Sequence, residues 1–245
     1  MMAYWQNVWD RWQFLWDDRG DGVTYFQWML SAWGYTVAVA AASLVIALVF
    51  GILIGTLRTL SGHRIISAFA AGWVELFRNI PILVQLFIWF FVISELVPGM
   101  RSVPGFVLAC CALGFFTSAR IAEQIRAGIQ ALPTGQRNAA YAVGFTQFQT
   151  YRYVILPQTF RIIIPPLTSE AMNIVKNSSV AFAVSIPELI SFAMQTQEET
   201  SRGVEVYLAA TVLYAVTALV VNRVMAFMER RMRIPGLTLQ TQGAH

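Results

Sequence analysis

Residues 23–57 contain no aspartate, glutamate, lysine or arginine. A spanning helix needs about 20 mostly apolar residues. Within lipid only helices or closed barrels satisfy every backbone polar group. A 35-residue stretch without charge therefore commits the chain to at least one membrane helix, predicted near 33–57. Further runs repeat the signal. Residues 65–94 are charged only at Glu75 and Arg78, residues 102–119 are uncharged, residues 162–187 carry only Glu170 and Lys176, and residues 206–222 are uncharged. These predict spans near 33–57, 68–96, 102–120, 160–187 and 205–227. Hydrophobic residues make up 57% of the chain and charged residues 12%, against about 25% charged in soluble domains. The fold class is an all-α membrane protein with five transmembrane helices.

Spans two and four are polar and carry proline: Pro81 near the middle of one, Pro165-Pro166 opening the other. Broken helices are tolerated in lipid where neighbours or a water cavity satisfy the freed backbone groups. Five spans place the termini on opposite sides. The side holding Arg58, Arg64, Arg78, Arg120, Arg126, Arg137, Arg152, Arg161, Arg223, Arg230, Arg231 and Arg233 has twelve arginines, and the other has four: Arg11, Arg19, Arg101 and Arg202. Positive charge favours the cytoplasmic side, which predicts an outer N-terminus and a cytoplasmic C-terminal tail at 231–245. Acidic residues gather on the outer side: Asp10, Asp17, Asp18 and Asp21 before span one, and Glu188, Glu198, Glu199 and Glu205 before span five.

The first 22 residues have neither the basic start nor the apolar core of a secretory signal. Trp5, Trp9, Trp12 and Trp16 are spaced 4, 3 and 4 apart, one stripe of a helix. Residues 1–27 read as an amphipathic segment at the outer interface, where tryptophan is enriched; a partner-binding helix is the alternative. Cys110 and Cys111 are adjacent. A disulfide between helical neighbours is strained, and two cysteines do not make a zinc site.

Lys176 is the only lysine of the chain and lies inside an apolar stretch beside Asn173, Asn177, Ser178 and Ser179. A charge at bilayer depth costs about 2.5–3.5 kcal/mol on insertion scales and marks a functional site by default. Glu170, Asn173 and Asn177 fall at i, i+3 and i+7 and share a helical face, which Lys176 borders. The competing reading pairs Lys176 with Glu75 or Glu170 to hold helices together. Glu75 and Arg78, three apart, form a candidate ion pair or gate, and Gln85, seven residues on, faces a similar direction and is a candidate for lining the path.

Between spans three and four, residues 120–161 are too polar to span and too apolar to be disordered. One helix ends between Gly128 and Pro133, and another starts with Thr134 as its N-cap. Ala139, Ala140, Ala142 and Gly144 are small, so this helix can admit a close-approaching surface, with Phe145, Phe148, Tyr151 and Tyr153 as apolar anchors. An ordinary interfacial connector is the alternative.

The pattern Asn138-Ala139-Ala140, three residues, Gly144, nine residues, then Val154-Ile155-Leu156-Pro157 resembles the EAA loop of ATP-binding-cassette (ABC) importer permeases, spanning 133–157. Asn138 stands where that pattern has glutamate and Val154 where it has isoleucine. The segment from Val74 through Glu75, Arg78 and Pro81 to Gln85 resembles a hallmark at span two of polar amino acid permeases. Pro165-Pro166, Glu170, Asn173 and the Val175-Lys176-Asn177-Ser178 run resemble span four of the same subfamily, most closely the glutamate/aspartate permeases. The resemblance covers about residues 30–235.

It implies a type I ABC importer permease fold at 28–230 and a passive gate. Asn138, Ala139, Ala140 and Gly144 would lie on a cytoplasmic coupling helix docked on a separate ATPase chain. Implied partners are a second homologous permease forming a heterodimer, two ATPase subunits, a periplasmic amino acid binding protein and the bilayer, with no nucleic acid. The chain has no Gly-x-x-x-x-Gly-Lys-Ser/Thr loop, so ATP and Mg would bind the partner ATPase, and no cofactor or catalytic residue is expected here. Lys176 and Asn177, with Ser178 or Ser179, would receive the carboxylates of an acidic amino acid, while Glu170 or a backbone carbonyl faces its ammonium. Within the class, glutamine, histidine or arginine is the rival cargo. Outside it, an ion-coupled secondary transporter normally shows repeats, none of which is visible here, and a scaffold leaves Lys176 unexplained.

Overall fold

The structure is a computed structural model, and it describes residues 11–60 and 62–232. The described residues are almost wholly helical. The helices are α1 (Tyr25–Leu57), α2 (Arg64–Asn79), α3 (Ile82–Leu96), α4 (Gly105–Gln130), α5 (Thr134–Ala142), α6 (Gln147–Val184), α7 (Leu189–Thr200) and α8 (Gly203–Met232). Three of them, α1, α4 and α8, are long and apolar enough to cross a membrane alone. The pairs α2–α3 and α6–α7 each pass only as a bent pair, at 106° and 53°. Five crossings result if each bent pair counts as one.

Helix α1 begins eight residues before the predicted span. Thr24 and Gln27 close a reciprocal capping box, with Gln27 N–H donating to Thr24 Oγ1 at 3.3 Å and Thr24 N–H to Gln27 Oε1 at 3.1 Å. These bonds satisfy orphan donors of the first turn. Helix α4 is the hub. Its apolar window is 61% buried, against 22% for α8, so α8 stands at the rim with Val212, Val216, Leu219 and Val220 exposed. The closest packing is α1 on α4. A Cβ on Gly51 would fall 2.6 Å from Ile121 Cγ2, and one on Gly55 2.6 Å from the Ala122 carbonyl. Gly51 and Gly55 are four apart, the small-residue spacing that lets membrane helices approach closely. Gly55→Leu is expected to cost at least about 3 kcal/mol, the upper part of the usual range for overpacking. The measurement is thermal unfolding of the detergent-solubilised protein; an unchanged midpoint would contradict this packing.

The predicted second span is broken. Pro81 has no N–H to donate, and Ile80 before it is extended at ψ 131°, as a residue preceding proline tends to be. The chain turns by 106° there. Aromatic packing fixes α2 against α1 and α4: Trp73 stacks on Phe50 at 5.7 Å and 6°, meets Phe115 edge-on at 5.1 Å, and its indole N–H donates to Ser118 Oγ at 3.1 Å. In α6 a regular stretch, Leu156–Asn177, keeps Pro165 and Pro166 inside it, then tightens to a 3-10 helix over Ser178–Val184.

Of the four acidic residues expected on the outer side before span five, Glu188, Glu199 and Glu205 are engaged within the chain, and Glu198 is exposed. Glu188 is fully buried. Its Oε1 accepts from the N–H groups of Ile190 and Ser191, capping α7, while its Oε2 accepts from Tyr214 Oη at 2.6 Å. Glu199 takes Arg19 at 3.5 Å and Tyr25 Oη at 2.9 Å, and Glu205 takes Arg11 at 3.3 Å. These contacts pin residues 11–24 across the α7–α8 turn. Of the predicted tryptophan stripe, Trp5 and Trp9 lie outside the described residues. Helical character ends with a short 3-10 turn at Gln13–Trp16, and Phe14, not Trp16, is the buried side chain. The tail at 233–245 also lies outside the described residues. Cys110 and Cys111 are free thiols.

Candidate functional site

Two places concentrate the predicted site residues: the polar stretch of α6, and the α5 loop at the end of the bundle where α1 finishes.

On α6 the face inferred from spacing divides. Glu170 is buried and faces α4, where Arg120 grips its carboxylate in a two-pronged pair, Nε to Oε2 at 2.8 Å and Nη2 to Oε1 at 3.1 Å. Gln124 Nε2 adds a third bond to Oε1 at 3.2 Å. The expectation that Glu170 meets a substrate ammonium, or pairs with Lys176, is corrected: its oxygens are taken by α4. Lys176 points away. It is exposed, and no carboxylate lies within 4.0 Å of its ammonium among the described residues, so the pairing with Glu75 or Glu170 does not form. Asn173 and Asn177 are half-buried. Ser178 is fully buried and donates back to the Val175 carbonyl at 2.7 Å, which removes it from the candidates that can present a hydroxyl to a solute. Ser179 makes the same bond to the Lys176 carbonyl at 2.7 Å. Both bonds accompany the change from α to 3-10 winding. The position left for binding an anion is Lys176 with Asn173 and Asn177, since the Ser179 hydroxyl proton is already donated to the Lys176 carbonyl.

Gln85 is buried at 3% exposure, and its amide donates to the carbonyls of Phe77 and Ile80 at 2.7 and 2.8 Å. Those carbonyls are the ones α2 leaves orphaned where Pro81 ends it. Gln85 therefore fastens the bend and does not line a path. Glu75 and Arg78 do not pair either. Glu75 Oε2 accepts from Asn79 at 2.9 Å, while Arg78 lies 3.9 Å from Glu123. Glu123 also binds Arg58 and, at 2.9 Å, Arg126. One carboxylate thus ties the end of α1 to α2 and α4. Sequence reasoning missed Glu123, Arg120 and Gln124. The i, i+3 spacing of Glu123 and Arg126 was the available signal, and counting arginines for orientation passed over their partners.

Helix α5 starts at Thr134, with Pro133 rather than Thr134 at the cap position and no side-chain cap bond. Its C-terminus is a Schellman turn. Gly144 has φ +87°, its N–H donates to the Tyr141 carbonyl at 3.0 Å, and Phe145 N–H donates to the Ala140 carbonyl at 3.1 Å. Glycine takes that backbone without strain. Asn138, Ala139, Ala142 and Gly144 are exposed, whereas Ala140 is buried at 5% exposure. Ala140 packs inward and is corrected out of the exposed small-residue face. Nothing lies within 4 Å of a Cβ placed on Gly144. Val143, Phe148 and Tyr153 are 74%, 72% and 61% exposed nearby. Contiguous apolar surface of this kind marks an interaction site. Tyr151 holds the loop in place: its hydroxyl donates to the Thr59 carbonyl at 2.7 Å, just past the end of α1.

Comparison with known proteins agrees with this architecture. Residues 47–234 match the family described as binding-protein-dependent transport system inner membrane component. The chain is 40% identical over 223 residues, 87% of this chain and 90% of the relative, to the glutamate/aspartate import permease protein GltJ of Escherichia coli K12. It is 32% identical over 84% of this chain and 94% of the relative to a probable glutamine ABC transporter permease protein, GlnM, of Bacillus subtilis 168. A solved amino acid ABC transporter, crystallised with histidines, superposes with a TM-score of 0.73 at 30% identity, covering 84% of this chain and 95% of the other. This protein belongs to the family of inner membrane components of binding-protein-dependent transport systems.

Proposed function

We propose that the chain is the membrane-spanning subunit of an ATP-driven importer for glutamate and aspartate. The observation that carries this reading is the exposed ammonium of Lys176, without a carboxylate partner among the described residues, in a chain 40% identical to a glutamate/aspartate import permease. An anionic solute supplies the missing counter-charge, and the side-chain amides of Asn173 and Asn177 offer hydrogen bonds beside it. Selectivity for acidic over neutral amino acids then follows from one uncompensated cation at the discontinuity of α6. Import of glutamine is the second reading, favoured by the likeness to the Bacillus subtilis permease.

Helix α5 is the coupling element. A rigid helix ended by a Schellman turn, with small residues outward, transmits a rigid-body push from an ATPase subunit. ATP and Mg bind that subunit, not this chain. A second, related permease chain completes the path, a periplasmic binding protein delivers cargo, and the α5 end of the bundle is cytoplasmic. Arg58, Arg78 and Arg126 share Glu123 at that end, which leaves it net positive, in keeping with the positive-inside rule.

The test is Lys176→Met in the complete importer reconstituted in vesicles. Removing a charge-assisted contact worth about 1.5–3 kcal/mol should raise the KM for labelled glutamate about 10- to 100-fold. Aspartate should compete with uptake by the unmodified protein, and glutamine and arginine should not. Unchanged affinity in an assembled Lys176→Met complex would refute the carboxylate role, and competition by glutamine would move the reading to the second cargo.

A further inference from the structure

A mostly apolar groove of about 620 Å³ opens where α1 ends and the regular stretch of α6 begins. Leu57, Leu60, Leu156, Pro157 and Phe160 are among its walls, and Phe148 and Arg152 stand at it from the loop side. Leu57 is the last residue of α1 and Leu156 the first of the regular α6 stretch. The groove therefore lies beside the ends of two spans expected from the sequence, 33–57 and 160–187. Tyr151, bonded to Thr59, is part of its lining.

The cation at this groove is unmatched. Arg152 is exposed, and no carboxylate lies within 4.0 Å of it among the described residues; its ring contact is Tyr153 at 5.7 Å. The two segments that build the groove come from stretches with no acidic residue at all: 22–74 on one side and 124–169 on the other. The nearby acid Glu123 is already shared by three arginines. An apolar trough beside the ends of two expected spans, with an unmatched guanidinium in its lining, fits a molecule that joins hydrocarbon to an anion. Basic pockets between membrane helices take anionic lipid headgroups for this reason.

We infer that this groove binds one anionic phospholipid, an acyl segment lying against Leu57, Leu156 and Phe160 and the phosphate meeting Arg152. The lipid braces the turn between α1 and α2 against the loop that carries α5. The inference stands whatever cargo is carried.

The experiment uses the complete importer, purified with its partner subunits in mild detergent and examined by native mass spectrometry after addition of phosphatidylglycerol or phosphatidylcholine. Phosphatidylglycerol should be retained in preference to phosphatidylcholine. Arg152→Glu should lower its retention about tenfold, since each basic side chain near an anionic lipid is worth a several-fold factor. Arg152→Lys should keep most of it, and Phe160→Trp, which narrows the trough, should reduce it with the charge intact. Arg230→Glu, at the far end of α8, should leave it unchanged. Equal retention of the two lipids, or full retention by Arg152→Glu, would overturn the inference. So would displacement of the lipid by millimolar inorganic phosphate, which reveals an anion site alone. A photo-crosslinker at position 148 should label lipid; labelling only a partner polypeptide assigns the groove to that partner and overturns the lipid.

Discussion

Gly144→Trp is expected to insert into the membrane as the unmodified chain does and to lose transport. Two effects act together at this position. The indole meets no neighbour within the chain, so it projects from the turn that ends α5, where the proposed coupling role requires close approach. The backbone at φ +87° also disfavours any side chain. Bulk at an interface that depends on close packing costs of the order of 3 kcal/mol, about a hundredfold in docking. Gly144→Asn separates the two effects, because asparagine tolerates the left-handed backbone and is small. It should retain uptake within a few-fold. The readout is glutamate uptake by reconstituted importer, with recovery of the ATPase subunit alongside the tagged permease. Normal uptake by Gly144→Trp would show that α5 is not the coupling element. Equal loss in Gly144→Asn would assign the effect to the Schellman turn instead of the surface.

The second large effect is on stability. Arg120→Ala strands the Glu170 carboxylate, 5% exposed, with only Gln124 as partner. Breaking a fully buried pair by removing one member costs about 3–5 kcal/mol, because an uncompensated charge is left behind; with the Arg120 side chain 44% exposed the expected cost here is at the low end, about 3 kcal/mol. For a chain of this size that corresponds to a fall in Tm of roughly 10 °C. Arg120→Met combined with Glu170→Gln removes both charges and should recover most of the loss, since a buried pair is often replaceable by neutral residues. Thermal unfolding of the three proteins in one detergent tests this. A single variant as stable as the unmodified chain would mean that Glu170 finds another partner. Uptake by the double variant then asks a separate question, whether the α4–α6 pair serves only to hold helices.

Much of the fold is legible in the residues themselves. Uncharged runs identify α1, α4 and α8 because lipid excludes charge, and that exclusion acts on each segment alone. Pro81 and Pro165-Pro166 mark two spans as irregular, and both belong to bent pairs. What the prolines do not reveal is the outcome at each. At Pro81 the chain turns by 106°, held by Gln85; at Pro165 and Pro166 the helix continues. The same residue type gives opposite results: at Pro81 the Gln85 amide takes the carbonyls of Phe77 and Ile80, and proline alone does not specify such a partner.

The site is legible in part. Helical spacing puts Glu170 and Asn177 on one face and leaves Lys176 at its border, and the structure separates the glutamate from the lysine by turning one to α4 and the other outward. Gln85 has the polarity of a path-lining residue and is consumed by backbone. Ala140 belongs to a small-residue pattern and faces inward. Each of these depends on which element covers a face, and spacing within one helix carries no information about that. Glu123 is the sharpest case. It sits among arginines that the orientation count treats as free charge, and three of them converge on it from three helices.

Residue order alone dictates a helical membrane protein with three sure crossings and two interrupted ones, and a sole lysine that needs a polar surrounding. Those conclusions rest on the cost of placing charge and unpaired backbone in hydrocarbon, which is settled segment by segment. Which charges are paired is set by the packing of the helices against one another. Ion pairing joins residues 50 positions apart, as it does Arg120 and Glu170, and depends on the close approach of α4 to α6, where a Cβ on Gly128 would fall 2.6 Å from Ile163 Cγ2. Lys176 is left without a carboxylate by that pairing among the described residues, and that is where function has to be sought.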